Sequence, residues 1–230
     1  MNRTLFVFVL AFLLGARPAS SLFAQSPALQ KGVSVQMAST NNAMPMPEAD
    51  DQGAWIVSVN QGGKLYFGTQ PVTSDELIEQ MRIRPRLRMQ KLYIKADSRA
   101  SYADVQGALE GAKKDLFEDA ILLTNQTQSQ VLGTLAPPKG LQVMLAAPGA
   151  NAEPVVVEMN YSERQPVLKL NGNDVSTTDL QDALNRAFQN RSEKVLVLKA
   201  DGRLPFAQVV HVVDDCRSVG ATVVIATPDL

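Results

Sequence analysis

Lys95-Ala96-Asp97 and Lys199-Ala200-Asp201 spell the same tripeptide at an offset of 104. A tripeptide recurs by chance, but here its surroundings recur as well. Tyr102 matches Phe206 and Val105 matches Val209 at the same offset. "PVTSDEL" (Pro71–Leu77) matches "DVSTTDL" (Asp174–Leu180) at 103, and "AILLT" (Ala120–Thr124) matches "VVIAT" (Val223–Thr227) at 103. "VSVN" (Val57–Asn60) matches "VEMN" (Val157–Asn160) at 100. The offset drifts as loop insertions would make it drift, and the order of the matches never changes. Self-similarity of this kind decides architecture before any single motif does. The chain builds one unit of roughly 75 residues twice, near the lower end of domain size.

The second unit is the clearer one. "VVVEM" and "PVLKLNG" read as strands, the latter closed by an Asn-Gly turn. Ser176 with Asp179 has the spacing of a capping box, and Leu180, Ala183, Leu184, Ala187 and Phe188 follow at helical spacing. "KVLVLKA" is a strand. Pro205 opens a helix whose inner face is Phe206, Val209, Val210, Val213 and Cys216, with Gly220 past its end. "ATVVIAT" closes the unit as a strand. The first unit follows the same plan, with Thr73 and Glu76 as its capping box and Pro85 stopping its first helix. The expected fold class is α+β: two tandem small domains, each a mixed sheet with two helices on one face, in the order strand-strand-helix-strand-helix-strand. The last two strands of each unit, joined through a helix, should run parallel if they are neighbours.

Charge and metal-binding residues narrow the function. The formal net charge is −1. Residues 53–127 hold ten basic and nine acidic residues, and residues 154–230 hold eight and ten. Neither half gathers nucleic acid by its field. One cysteine, Cys216, and one histidine, His211, exclude an internal disulfide and a His/Cys metal cluster. A Ser–His–Asp triad would rest on His211 alone, which counts against a hydrolase. No cofactor, metal or catalytic residue is expected, and the chain reads as a non-enzyme.

The N-terminal stretch "MNRTLFVFVLAFLLGARPASSLFAQS" has Arg3, an apolar run from Thr4 to Ala16, and then small residues. A bilayer-spanning helix needs about 20 residues, so the run is short. Residues 1–24 therefore read as a secretory signal peptide, or alternatively as a short uncleaved membrane anchor. Residues 25–52, rich in Ala, Ser, Gln, Asn, Met and Pro, read as a flexible tether. The first domain spans 53–127, a Pro- and Gly-rich linker 128–153, and the second domain 154–230. "LQVML" within the linker has the pattern of an added edge strand.

Strand, turn, "VSTTDLQDAL", a strand ending in "KAD", then "LPFAQVVHVVDDCRSVGATVVIAT" resembles the periplasmic domain of the ExbD/TolR family of biopolymer transport proteins. The resemblance covers 154–230 closely and 53–127 more loosely. It implies a non-enzymatic role beside an ExbB/TolQ-like proton channel and a TonB/TolA-like protein, in transport energised by the proton-motive force. It also implies a domain that dimerises, so that the two copies would pack as an intramolecular pseudo-dimer. Family members carry a transmembrane aspartate for proton transfer. The run Thr4–Ala16 holds no ionisable residue, so that role is not expected here. The implied setting is exported and periplasmic, free or associated with the inner membrane. The alternative is a peptidoglycan- or peptide-binding envelope module unrelated to a proton motor.

Two sets of residues are candidate partner-binding sites. Asp97 and Asp201 each end a strand ahead of a helix; they either receive a partner's cation or bond local backbone N–H groups and set the turn. Lys95 and Lys199 read as solvated charges at the strand ends. Arg82, Arg84, Arg86 and Arg88 occupy alternate positions, so an extended backbone would aim all four to one side. Such a stripe binds phosphate, a peptidoglycan carboxylate or an acidic peptide; otherwise it is a solvated face balanced by Glu76, Glu79, Glu118 and Asp119.

The leader carries a direct test. The mature protein should begin shortly after Ser21 or Ala24 and fractionate away from membranes. Mass spectrometry recovering peptides from Met1 to Arg17 on membrane-bound mature protein would refute cleavage.

Overall fold

The computed structural model describes residues 32–85, 90–114, 117–126, 137–145 and 154–226. An N-terminal segment carries two short strands, β1 (Ser39–Thr40) and β2 (Met44–Pro45), and a 3-10 turn at Pro47–Asp50. The first half follows: β3 (Trp55–Val59), β4 (Leu65–Phe67), β5 (Gln70–Val72), α1 (Ser74–Ile83), β6 (Leu92–Ala96), α2 (Tyr102–Lys114) and β7 (Asp119–Gln126). Next comes β8 (Lys139–Met144). The second half repeats the pattern: β9 (Val155–Asn160), β10 (Val167–Leu170), β11 (Asn173–Val175), α3 (Leu180–Phe188), β12 (Val195–Ala200), α4 (Phe206–Ser218) and β13 (Thr222–Ile225).

Each half has one strand more than the sequence pattern suggested, because the turn residues reverse the chain sharply. Asn171 (φ 49°) and Gly172 (φ 82°) both take positive φ between Leu170 and its partner Asn173. Two such residues make the two-residue hairpin whose twist matches the strands, and it returns the chain as β11. Gly68 (φ 63°) plays the same part before β5. The helix starts are local too. Thr73 Oγ1 accepts from Glu76 N and Glu76 Oε2 accepts from Thr73 N, which completes a capping box. In the other half Asp179 N donates to Ser176 Oγ and the Ser176 hydroxyl donates to Asp179 Oδ2, so the pair closes a turn ahead of α3, whose N-cap Asp179 makes no side-chain cap bond, in place of the expected capping box.

The sheet runs β11-β10-β9-β12-β13-β8-β7-β6-β3-β4-β5. Both halves thus have the same internal order, and β6–β7 and β12–β13 are parallel as their helical connections require. β8 joins the two outer strands β7 and β13. It is antiparallel to β7 along Asp119–Thr124 and parallel to β13 at Val224 opposite Met144. Of the stretch expected to be linker, the residues other than 137–145 lie outside the described residues; within it, where "LQVML" was expected to add at most an edge strand, Lys139–Met144 form an interior strand. Alternation explains this: Leu141 and Val143 face the helices and are buried, whereas Gln142 faces the other way and is exposed.

All four helices send residues into one core. Leu77 and Met81, Val105 and Leu109, Leu180 and Leu184, and Val209 and Val213 pack with Val57, Ile94, Leu122, Leu141, Val157 and Leu198. Register carries that face across the sheet, from Val57 to Ile94 to Leu122 to Leu141. Gly111 lies inside α2 facing α1, where a Cβ would make an ordinary contact with Ile78 at 3.4 Å. Tyr102 is buried with no hydrogen-bond partner for its hydroxyl, where the second half has Phe206.

The opposite face differs between the halves. In the first, residues 33–52 of the segment expected to be a flexible tether are laid down on the sheet, while residues 1–31 lie outside the described residues. Met46 and Ala49 are buried against Ile56, Tyr93, Ile121 and Leu123. Burial there pushes the Tyr93 hydroxyl up to about 12, helped by Glu48 and Asp51 above it. In the second half the equivalent face is uncovered: Val156, Glu158 and Val197 are half-buried and Lys199 is exposed. The tether reading failed because Met46 and Ala49, with Met37 packed beside them, fill an apolar surface that only the folded sheet creates.

Gly140 of β8 gives the seam a sharp test. A Cβ at that position would meet Ile121 Cγ2, and Leu122 O at 3.0 Å. Gly140→Ala should therefore cost about 1–3 kcal/mol by overpacking. Urea unfolding should show a lower midpoint at an unchanged slope; an unshifted midpoint would contradict this register.

Candidate functional site at the paired Lys-Ala-Asp turns

Both tripeptides end their strands identically. Asp97 N donates to Val59 O (2.9 Å) and Asp201 N to Met159 O (2.9 Å), so each turn is hung from the neighbouring strand of its own half. The chain then reverses, with Ala100 N donating to Asp97 O and Leu204 N to Asp201 O. Each carboxylate holds an arginine two residues on. Asp97 Oδ1 accepts from Arg99 N (3.1 Å) and Nε (2.9 Å), and Oδ2 from Nη2 (3.0 Å). Asp201 accepts the same three bonds from Arg203, at 2.9, 3.0 and 2.6 Å. This is the two-pronged guanidinium–carboxylate geometry, closed by a backbone bond.

Of the two readings of these aspartates, the geometry favours the local one: each carboxylate is committed to its own turn. Asp97 has a further tie, accepting from Gln36 N of the N-terminal segment at 3.2 Å. The Arg99 guanidinium holds the Asp97 carboxyl down to about 2, against the opposing effect of burial. Asp201 is likewise held below the usual carboxylate range, first by the Arg203 guanidinium.

The sequence reading missed Arg99 and Arg203. The signal was present, since they too stand 104 apart and extend the repeat to Lys-Ala-Asp-x-Arg. Beyond the aspartates, the two turns meet each other. Tyr102 N donates to Leu204 O (2.8 Å), and Phe206 N donates to Ala100 O (2.8 Å). Ala103 N donates to Gly202 O, and Ala207 N donates to Ser98 O, both at 2.9 Å. Ser101 and Pro205 form an antiparallel bridge between them. Every donor and acceptor has its counterpart 104 residues away, which is the reciprocal pattern of an isologous contact. Gly202 faces Ala103 closely enough that a Cβ would fall 2.9 Å from Ala103 Cβ.

The lysines differ, against the expectation that both are solvated. Lys199 is exposed, but Lys95 is buried beneath the N-terminal segment. Burial pulls the Lys95 ammonium down, and Asp50 of that segment opposes the effect. Strand register places Glu158 beside Lys199, whereas Ser58 stands beside Lys95. Asp50 supplies from above the negative charge that Glu158 supplies from within the other half.

The arginines do not share one extended face. Arg82 lies in the last turn of α1, exposed, with Nη1 3.0 Å from Glu79 Oε2. Arg84 follows the helix in extended conformation, as Pro85 demands of its predecessor. Its guanidinium lies 5.1 Å from the Trp55 ring centre and 5.2 Å from that of Phe67. Arg86 and Arg88 lie outside the described residues. His211 is exposed on α4, and burial pushes the Cys216 thiol up to about 12, far from a reactive thiolate. Among the described residues no group of three or more His, Cys, Asp or Glu could hold a metal ion, and no helix is long and apolar enough to cross a membrane.

Residues 120–229 match the family described as "Biopolymer transport protein ExbD/TolR". The match runs from β7 to the C-terminal end and takes in one copy of the repeat. It ties this part of the chain to biopolymer transport in general. No curated protein and no solved structure matches the chain.

The Asp97 pair has a pH signature. A carboxyl of the unfolded chain titrates near about 4, and Asp97 titrates at about 2 in the fold. The folded value is the lower one, so the ionised pair stabilises above about pH 4 and its contribution fades between about pH 4 and pH 2. Across that window, wild type should lose stability more steeply than Asp97→Asn in urea titrations. Equal slopes would show that the pair contributes nothing; Asp201, present in both proteins, cancels in the comparison.

Proposed function

We propose that this chain is a non-enzymatic, exported interaction protein of the cell envelope, acting with ExbB/TolQ-like and TonB/TolA-like proteins in biopolymer transport. The observation that carries this reading is the ExbD/TolR match over residues 120–229. In this reading 53–127 is a second, diverged copy of the same domain, and the two copies form an intramolecular pseudo-dimer. Three features support that: the repeated strand order, the helices on one face, and the reciprocal backbone bonds between the turns.

The chain serves as a scaffold and takes no direct part in proton conduction. Thr4–Ala16 holds no carboxylate to relay a proton. Asp97 and Asp201 are satisfied by Arg99 and Arg203, so a partner is recognised by other surfaces. The affinity-tagged chain, cross-linked in cells, should retain ExbB/TolQ-like or TonB/TolA-like proteins. Sedimentation with purified peptidoglycan while retaining neither protein would overturn this reading in favour of a cell-wall-binding module.

A further inference from the structure

The two edges of the interior strand β8 are unequally held. β7 pairs with it along Asp119–Thr124, whereas β13 meets it at Met144. The weaker side lies between the halves, so separation would begin there. The N-terminal segment is laid across this line. β1 runs parallel to β7 at Asn125–Gln126, and β2 runs antiparallel to β8 at Lys139–Gly140. The edge of β7 away from β8 and the edge of β8 away from β7 are both gripped, at the same end of the hairpin. Thr40 Oγ1 and Thr124 Oγ1 are 2.8 Å apart in a buried hydrogen bond that fixes the first grip.

Between β1 and β2 the segment crosses to α4 of the second half. There Asp214, buried, accepts from Asn41 N (2.8 Å, Oδ2) and from Asn42 N (2.9 Å, Oδ1), while Asn42 Nδ2 donates to Asp214 O. A buried carboxylate satisfied by two backbone N–H groups is costly to leave unpaired. Further upstream, Gln36 clips onto the first Lys-Ala-Asp turn. Its N–H donates to Asp97 Oδ2, and its carbonyl accepts from Ser98 N (2.7 Å). Ser98 O in turn accepts from Ala207 N of the second half.

We infer that residues 36–46 are a latch. They tie the β7–β8 hairpin to α4 across the weak side of the seam, and freeing them loosens the contact between the two halves. Asp214 is the keeper of the latch. Its carboxylate holds the loop by the backbone N–H groups of Asn41 and Asn42, and the Asn42 side chain adds a bond to its carbonyl. The two-residue ladders β1–β7 and β2–β8 are short enough to open as a local unit, below the threshold of global unfolding. Whatever draws on the chain ahead of Gln36 thereby acts on the turn that meets the other half. This inference stands on the seam geometry and does not depend on the transport reading.

Amide hydrogen exchange on the full chain tests it, with Asp214→Ala and the isosteric Asp214→Asn. Exchange should quicken at least tenfold at Asn41 and Asn42. It should quicken in parallel at Tyr102, Ala103, Phe206 and Ala207, whose N–H groups cross between the halves. Amides of the outer strand β10 should stay as in wild type. Asp214→Asn keeps the shape and one accepting oxygen, so it should give the same pattern at smaller amplitude, and it decides the matter if the alanine variant does not fold. Faster exchange at Asn41 and Asn42 with unchanged seam amides would make the segment a passive cover and overturn the latch. A uniform rise across all strands, β10 included, would also overturn it, as would no change at all.

Discussion

The insertion of β8 between β7 and β13 is the interaction on which the rest of the structure depends. Each half alone is a small five-stranded sheet that would leave one buried-type strand edge open. A domain of this size buries a modest fraction of its surface and is marginal by itself. An open apolar edge also invites pairing with other chains. β8 pairs along one edge with β7, meets β13 at Met144, and lets the helix-side cores merge into one, from Trp55 to Ile225. The outer edges are handled differently: β5 carries Pro71, which cannot extend a ladder, and β11 carries Asp174.

From that join follows the asymmetry of two halves built on one plan. The first half has large apolar residues on both faces of its sheet, and β3 and β6 are buried throughout. It therefore needs the N-terminal segment, whose Met46 and Ala49 seal Ile56, Tyr93 and Ile121. The second half alternates, with Val156, Glu158, Val197 and Lys199 on its open side. Such alternation lets a sheet face water without cover. The first half thus depends on the N-terminal segment, and the second does not.

The paired turns show how a repeated motif can serve construction. A carboxylate at a strand end, an arginine two residues on and a backbone reversal make a rigid corner. Two such corners meet through four reciprocal backbone bonds, with Gly202 leaving room for Ala103. What the motif presents outward is the exposed faces of Arg99 and Arg203, the latter stacked 4.8 Å from the Tyr161 ring centre. The chemistry at this position is that of holding and positioning.

Local pattern was enough to reveal the helices, the Thr73–Glu76 cap and the alternating strand faces. Thr73 with Glu76, the apolar spacing of Leu180 to Phe188, and the Asn171-Gly172 reversal depend on residues within a few positions of each other. Even the Asp-x-Arg corner was written in the repeat, though its arginines went unread. Tertiary structure alone decided the rest. Leu141 and Val143 spell a strand, but their place between β7 and β13 depends on two edges contributed from distant parts of the chain. Residues 33–52 have no period because they match a surface made by β3, β6 and β7, and Lys95 and Lys199, each the start of a Lys-Ala-Asp-x-Arg run, differ in burial for the same reason. Asp214 reads as one more charge on a helix until the fold brings Asn41 and Asn42 to it. Periodicity records what a residue does to its own element; it carries no record of which remote segment will need it.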